Sequence, residues 1–145
     1  MENNESLLRE WIDKAESYCA CAEHCAADVR RKFLQWGIES DYTDQIIDTL
    51  YERGFLNDER YCEAYVHDKV TYQKWGRLKI QAGLRALQLP NGVISKALDD
   101  IDEKVYMDNL RTLAHQRRAD NEEKRLRFLL QRGFTYDEIK RASRN

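Results

Sequence analysis

Apolar residues recur every three or four positions along almost the whole chain, and this periodicity limits the fold more than any other feature. Such spacing is typical of amphipathic α-helices that turn one face towards a core. No stretch alternates with a period of two for long enough to predict a β-strand. A single proline and six glycines leave few breaks in the chain. The pattern therefore predicts nine helices and an all-α fold.

Residue types at the segment ends predict where the helices begin and end. Gly37, Gly54 and Gly133 follow periodic segments, and glycine readily adopts the left-handed conformation that ends many helices. The predicted helix starts are an N-cap at Thr43, an N-cap at Asn57 or Asp58, Pro90 in a first turn, and a capping box formed by Thr135 and Glu138.

Three ten-residue segments of the chain align with one another: VRRKFLQWGI (29–38), IQAGLRALQL (80–89) and RLRFLLQRGF (125–134). One apolar position that they share is occupied by Phe33, Leu84 and Leu129, which we predict to be equivalent core residues. A period of this kind is typical of repeat architectures. We therefore predict three tandem three-helix repeats over residues 1–55, 56–101 and 102–145.

The helix ends of these segments also coincide, at Gly37, Gln88 and Gly133. A left-handed backbone costs a residue with a Cβ about 1 kcal/mol relative to glycine. Gln88 is therefore predicted to be the least favourable of the three helix ends.

The net charge of −2 conceals an uneven distribution. Residues 1–68 carry 7 basic and 16 acidic side chains, whereas residues 69–98 carry 6 basic and no acidic ones. Four acids follow within residues 99–103, and residues 104–145 carry 11 basic against 6 acidic side chains. This division favours a polyanionic or acidic partner surface for the centre and the end of the chain.

Several classes of protein are disfavoured by what the sequence lacks. No run approaches 18 apolar residues, and the acidic N-terminal sequence lacks the basic and apolar regions of a signal peptide, so neither a membrane span nor a leader is expected. The four cysteines are then interpreted as reduced thiols of a cytoplasmic protein. Phosphate-loop, dinucleotide-binding, nucleophile-elbow and zinc-protease motifs are absent, so we predict no cofactor and no catalytic activity.

The segment CACAEHC brings Cys19, Cys21, His24 and Cys25 together, and these are zinc-binding residue types. On a helix Cys21 and Cys25 share a face, but Cys19 lies about 200° around the axis from Cys21. Structural zinc sites usually draw on two separate ligand pairs. We therefore favour the interpretation that these are small residues packed where the first two helices approach, and we predict no metal site.

The segment TYQKWGRLKI (71–80) joins two predicted helices inside the acid-free region. It combines Lys74, Arg77 and Lys79 with Trp75, a mixture typical of surfaces that bind polyanions. In the alternative interpretation Trp75 fills the core, Gly76 makes a turn and the basic side chains are ordinary solvated surface. We favour the core for Trp75, and both interpretations remain open for the charges.

Two segments resemble the RecX family, the regulators of the RecA recombinase: GFLNDERYCEAYVHDK (54–69) and WGRLKIQAGLRALQLPNGVISKAL (75–98). That family's pattern is a Gly-aromatic-Leu-Asp-Asp-Glu-Arg run, then Gly-x-x-basic-Ile, and an Ile-x-x-Ala-Leu ending. The resemblance extends over about residues 5–143. The departures are Cys62 at a common alanine, Leu87 at a lysine and Gln88 at a glycine.

The resemblance implies an elongated, curved body of three three-helix repeats that lies in the groove of the RecA filament. It implies that the protein lowers RecA ATPase activity and strand exchange, and so regulates homologous recombination, DNA repair and the SOS response. A monomer with a weak additional contact to DNA is expected. The alternative is a direct nucleic-acid-binding protein that uses one three-helix unit as a helix-turn-helix reader.

Two sets of residues are predicted to carry this function. The candidate contacts to the partner are Lys69, Lys74, Arg77, Lys79, Arg125, Arg127 and Arg132. The residues expected to support the middle repeat are Asp58, Arg60, Tyr61, Tyr65, Trp75, Gly76, Ile80 and Leu84.

Overall fold

The computed structural model describes residues 2–38 and 40–144, and within them the chain forms nine α-helices and no β-strand. In chain order these are α1 (Glu2–Cys21), α2 (Ala26–Trp36), α3 (Thr43–Glu52), α4 (Asp58–Asp68), α5 (Arg77–Ala86), α6 (Asn91–Asp99), α7 (Glu103–Gln116), α8 (Glu122–Gln131) and α9 (Tyr136–Ser143). None of these helices combines the length and the hydrophobicity that a bilayer-spanning segment requires. The predicted all-α class is confirmed.

The helix ends follow the predicted turn chemistry closely. Gly37, Gly54 and Gly133 have positive φ angles of 74°, 79° and 104°. Gln88, the residue aligned with two of these glycines, has the same left-handed backbone with φ of 64°. At Asn57 the side-chain oxygen accepts a hydrogen bond of 2.9 Å from the Arg60 amide, as expected of an N-cap.

Two predicted helix starts are displaced by one residue. Thr43 is the first residue of α3 and not its N-cap, because a 3₁₀ turn over Ser40–Tyr42 leads into the helix and makes Tyr42 the N-cap. The Thr43 side chain is buried. Pro90 is the residue before α6 instead of lying in its first turn, with the extended ψ of 139° that a capping position requires. The capping box of Thr135 and Glu138 at the start of α9 is confirmed.

The first compact unit spans Met1–Tyr61 and contains α1, α2, α3 and the first residues of α4. Its core is one cluster in which Phe33 of α2 is buried with side chains of α1 and α3. The fully buried members include Ala15, Val29, Ile46 and Leu50. These are the apolar-periodic positions of the sequence, so the amphipathic pattern accounts for the packing.

The second compact unit spans Cys62–Asn145 and contains the remainder of α4 and helices α5–α9. Leu84 of α5 and Leu129 of α8 are both buried to within 1%. Leu129 belongs to a core cluster of the last three helices, together with Tyr106, Met107, Leu110, Leu113 and Phe134. The predicted burial of all three aligned positions is confirmed, while the repeat boundaries at residues 55 and 101 stay a prediction.

Candidate functional site

The stretch between α4 and α5 has an unusual backbone. Helix α4 continues as a π-helical turn over Lys69–Gln73, which ends at Lys74 in the left-handed conformation with φ of 53°. The amide of Trp75 then donates a hydrogen bond of 3.1 Å to the carbonyl of Lys69. A π turn followed by a left-handed residue other than glycine is unfavourable by itself, and such features are concentrated at functional sites. We call residues 69–79 the basic segment.

Trp75 lies between two lysines in this segment. The Lys69 and Lys79 ammonium groups lie 4.8 Å and 4.4 Å from the centroid of its ring. Trp75 is only half-buried, so the prediction that it fills the core is wrong. The cation–π contacts explain this position, because the two ammonium groups cover the Trp75 ring and stabilise it where it is only partly buried.

Tyr72 is the residue of the basic segment that the sequence interpretation passed over. Its side chain is 71% exposed, next to the half-buried Lys74 and Trp75. Val70 is buried, and helical periodicity places the residue two positions later away from the core. The exposure of Tyr72 could therefore have been predicted from the sequence. The segment therefore presents an aromatic side chain to the solvent among lysines.

The start of α5 packs directly against the end of α8. The amides of Gly76 and Leu78 donate to the carbonyls of Arg132 and Gly133, at 2.8 Å and 3.1 Å. The amide of Arg77 donates to the Tyr106 hydroxyl at 2.9 Å. A methyl group on Gly76 would lie 2.2 Å from the Gly133 carbonyl carbon. Gly76 is therefore required for a close backbone approach, and it does more than make a turn.

Arg77 is held in a polar network within the second unit. Its guanidinium donates to Glu103 at 2.8 Å, lies 3.5 Å from Glu138 and stacks over the Tyr106 ring at 4.2 Å. Although burial lowers the pKa of Arg77, the hydrogen bond that its guanidinium donates to Glu103 and the negative charge of Glu103 raise that pKa above the ordinary value. The side chain of Arg77 is thus occupied by internal partners.

Glu138 is the buried centre of this network, and sequence analysis assigned it only a capping role. Its carboxylate accepts hydrogen bonds from the Thr135 amide at 2.8 Å and from the Tyr106 hydroxyl at 3.2 Å. Burial raises the pKa of Tyr106, which stays protonated and able to donate. A buried carboxylate is tolerated here because several donors surround it.

The three predicted arginines of α8 and its end have different surroundings. Arg125 donates to the carbonyl of Asp120 at 3.0 Å, and Arg127 pairs with Glu123 at 3.2 Å with 64% of its side chain exposed. Arg132 donates to the carbonyl of Gln73 at 2.8 Å, so it joins α8 to the basic segment. Of these three, Arg132 is the one that the structure brings next to the predicted lysines.

The cysteine cluster does not converge on one point. Cys19 and Cys25 are buried, whereas Cys21 is exposed and donates to the carbonyl of Ser17 at 3.3 Å. The ring of His24 stacks on Tyr18 and contacts the Asp28 carboxylate at 3.3 Å. Over residues 2–38 and 40–144, no three His, Cys, Asp or Glu residues form a group that could hold a metal ion. The packing interpretation fits Cys19 and Cys25 but not Cys21.

Comparisons with known proteins point to one family. A sequence model of the second three-helix domain of RecX matches residues 57–98. The regulatory protein RecX of Halorhodospira halophila is 28% identical over 138 residues, which cover 90% of this chain and 84% of that protein. The crystal structure of RecX from Lactobacillus salivarius superposes with a TM-score of 0.78 at 23% identity, over 94% of both chains. The chain belongs to the RecX family.

Relatives of different length share this similarity. The regulatory protein RecX of Clostridium perfringens is 31% identical over 120 residues, covering 76% of this chain but only 56% of that protein. The chain therefore spans little more than half of that longer relative. The RecX domain match includes the whole basic segment, so the unusual backbone lies within the part of the chain that the family model recognises.

The positions at which this chain departs from the RecX pattern have a structural role. Cys62 replaces the common alanine and is completely buried. Leu87 and Gln88 end α5, and Gln88 keeps the left-handed backbone for which the RecX pattern has a glycine. The Leu89 amide still donates to the Leu84 carbonyl at 3.3 Å, as in a glycine-ended helix. The helix end is thus preserved without the glycine.

The RecX-like motif residues fall into two groups. Asp58 accepts from the Tyr51 hydroxyl at 2.7 Å, and Arg60 pairs with Glu23 and donates to the carbonyl of Gly54 at 3.1 Å, so both make their contacts within the first unit. Tyr61 is half-buried at the end of that unit. In the second unit Ile80 and Leu84 are completely buried, and the Tyr65 ring lies where a side chain on Gly83 would be.

Proposed function

We propose that this chain binds the RecA recombinase or its nucleoprotein filament and restrains its ATPase and recombinase activity. Membership of a family whose relatives are named regulatory proteins supports the proposal. In the same proposal the chain acts by binding and not by catalysis, as a monomer in the cytoplasm. The observation that carries the proposed site is the basic segment, where the exposed Tyr72 lies among half-buried lysines on a strained backbone.

The candidate contacts differ in how free they are to reach a partner. Lys74, Lys79 and Arg132 lie on or beside the basic segment. Lys69 and Lys79 both stand over Trp75, but Lys69 also pairs with Asp68 at 3.7 Å and has only 22% of its side chain exposed. Arg77 already serves Glu103 and Glu138. We therefore propose that Lys74, Lys79 and Tyr72 make the main contact, and that Arg77 positions the start of α5.

The proposal is tested by measuring RecA ATPase on single-stranded DNA with increasing amounts of the chain. The wild-type chain should lower the steady-state rate, and its effect should weaken as salt rises from about 50 to 300 mM, because the contact is charged. A wild-type chain that leaves the ATPase and strand exchange of RecA unchanged would contradict the proposed function.

The site is tested by the variant Lys74→Glu/Lys79→Glu, with Arg85→Glu as the control. Arg85 is an exposed cation of the same acid-free region outside the basic segment. We expect the double variant to need at least about tenfold more protein for equal inhibition, because charge reversal at a contact repels the partner, while the control behaves as wild type. Equal inhibition by a folded double variant would exclude the basic segment as the contact.

The nucleic-acid-binding alternative is tested in parallel by a gel shift with naked duplex DNA. A helix-turn-helix reader concentrates its bases on one recognition helix. Here the candidate cations are divided between the basic segment and α8, which favours the filament. Tight binding of duplex DNA without any effect on RecA would support the alternative.

A further inference from the structure

The second unit contains an open groove that the basic segment does not account for. One wall is α4 with the π turn, and the other is the end of α6, the loop after it and the first turns of α7. The groove has a volume of about 440 Å³. The Asn109 side chain donates to the Val70 carbonyl at 2.9 Å and so fastens α7 to the π turn. The groove is therefore a built feature of the fold.

The floor of this groove is aliphatic. It consists of Val66, Val70, Ala97, Ile101 and Val105. Val66, Val70 and Ala97 are buried, but Val105 is 46% exposed although it is a valine in a regular helix. The floor is therefore open to the solvent mainly at Val105, and an apolar side chain exposed at the bottom of a groove is suited to contact with another apolar group.

The rim of the groove is acidic. Glu63, Asp100 and Asp102 are among its lining residues, and no lysine or arginine is. Within the part of the chain that the structure describes, Glu63 and Asp100 have no ion-pair partner, and Asp102 accepts a hydrogen bond from the Val105 amide at 3.2 Å. The rim therefore keeps three carboxylates whose charge repels nucleic acid and attracts cations.

We infer that this groove binds a segment of a partner protein in which apolar side chains are flanked by lysine or arginine. Lysine and arginine suit it because their aliphatic stems can lie on the valines while their charged ends reach the carboxylates. Charge complementarity thus selects the occupant, and the aliphatic floor supplies the contact area. This surface shares Val70 and Thr71 with the basic segment, but its carboxylates have the opposite charge to the lysines of that segment.

The test uses two amidated peptides of six residues, with Leu-Phe flanked by two lysines on each side or by two glutamates on each side. They are titrated into the ¹⁵N-labelled full chain and followed by amide chemical shifts. The lysine peptide should shift the amides of Val66, Val70, Ile101 and Val105, and its affinity should fall as salt rises. The glutamate peptide should cause no shifts. Equal binding of the two peptides, or shifts located elsewhere, would overturn the inference.

The charge requirement is tested by Glu63→Lys/Asp100→Lys, two exposed positions, of which Glu63 lies in α4 and Asp100 directly follows α6, where a cation is favourable. Asp48→Lys, an exposed carboxyl of α3 that does not line the groove, is the matched control. We expect the double variant to bind the lysine peptide at least about tenfold more weakly and the control to bind it as the wild type does. Unchanged affinity in a double variant with wild-type circular dichroism would refute the acidic rim.

The floor is tested by Val105→Ser, which removes apolar contact at a half-exposed position. This variant should also bind the lysine peptide more weakly, by about threefold or more, because apolar area is lost from the contact. An affinity equal to that of the wild type would mean that the carboxylates act alone. Sedimentation of the free wild type tests whether a second copy of the chain occupies the groove instead. A dimer that the Glu63→Lys/Asp100→Lys variant no longer forms would assign the groove to that second copy and overturn the inference.

Discussion

Gln88 has a left-handed backbone, with φ of 64°, where the aligned residues Gly37 and Gly133 have 74° and 104°. The same hydrogen bond closes all three helix ends, since the amides of Ile38, Leu89 and Phe134 donate to the carbonyls of Phe33, Leu84 and Leu129. The geometry is therefore imposed by the turn and not by the residue. Gln88 bears the steric cost of its Cβ at that turn.

Replacing Gln88 by glycine should stabilise the protein. The gain is limited to about 1 kcal/mol in the free energy of unfolding, because glycine also has more freedom in the unfolded chain. Gln131→Gly, the same change at the exposed last residue of α8, should instead lower stability, by up to about 1 kcal/mol. Urea denaturation of both variants measures the difference. A Gln88→Gly variant less stable than the wild type would mean that the glutamine side chain makes a compensating contact.

The four cysteines should differ sharply in reactivity. Burial raises the pKa of Cys19 from 9.0 to about 11, with nearby carboxylates contributing, and burial also raises the pKa of Cys25. A thiol reacts as its thiolate, so both should be slow at pH 8. Cys21 is exposed, and Cys62 is buried.

Titration of the native protein with a disulfide reagent should therefore show one fast thiol and three slow ones. Cys21→Ser should abolish the fast phase, while Cys19→Ser should leave it unchanged. A second fast thiol in the wild type that Cys19→Ser or Cys25→Ser removes would show that the region around α1 and α2 opens readily, contrary to the burial of these two residues.

At the scale of elements, α5 and α8 are joined by backbone atoms. Three successive amides at the start of α5 donate to the end of α8 and to the Tyr106 hydroxyl. These amides are therefore satisfied internally and do not form an anion site. Gly76 and Gly133 make this approach possible. A methyl group on Gly76 would overlap the backbone of Gly133, and a methyl group on Gly133 would overlap Lys79.

Gly76→Ala should consequently destabilise the protein by about 1–3 kcal/mol, the usual effect of overpacking. Gly92→Ala is the matched control, since Gly92 lies in the first turn of α6 with no atom within 4 Å of a new methyl group. That control should be neutral or more stable by up to about 1 kcal/mol. Thermal unfolding followed by circular dichroism compares them. Equal melting temperatures would contradict the close approach of α5 and α8.

The sequence predicted the elements better than it predicted the site. Periodicity and capping chemistry gave nine helices and the left-handed Gln88, because both signals are local. Trp75 was assigned to the core, since no local pattern shows that Lys69 and Lys79 approach its ring. Arg77 was assigned to the partner surface, but its guanidinium contacts Glu138 within the second unit. These two residues are far apart in the sequence, so no local pattern predicts the contact. The π turn has no sequence signal of its own.

At the scale of the whole molecule, the core is divided between two compact units. Ile46 belongs to the cluster of the first unit, and Leu129 and Phe134 belong to that of the last three helices. Residues without shared partners change stability additively, whereas residues in contact do not. The separation of the two core clusters can thus be measured as the coupling free energy between one substitution in each cluster.

Ile46→Val should cost about 1 kcal/mol and Leu129→Ala about 2–5 kcal/mol of unfolding free energy. Combined in one chain, their effects should add to within about 0.5 kcal/mol. Phe134→Leu with Leu129→Ala is the comparison within one cluster, where the Phe134 amide donates to the Leu129 carbonyl at 3.3 Å. That pair should deviate from additivity by about 0.5–3 kcal/mol, because one side chain relaxes into the space that the other leaves. Strong coupling between Ile46 and Leu129 would mean that the two clusters form one core.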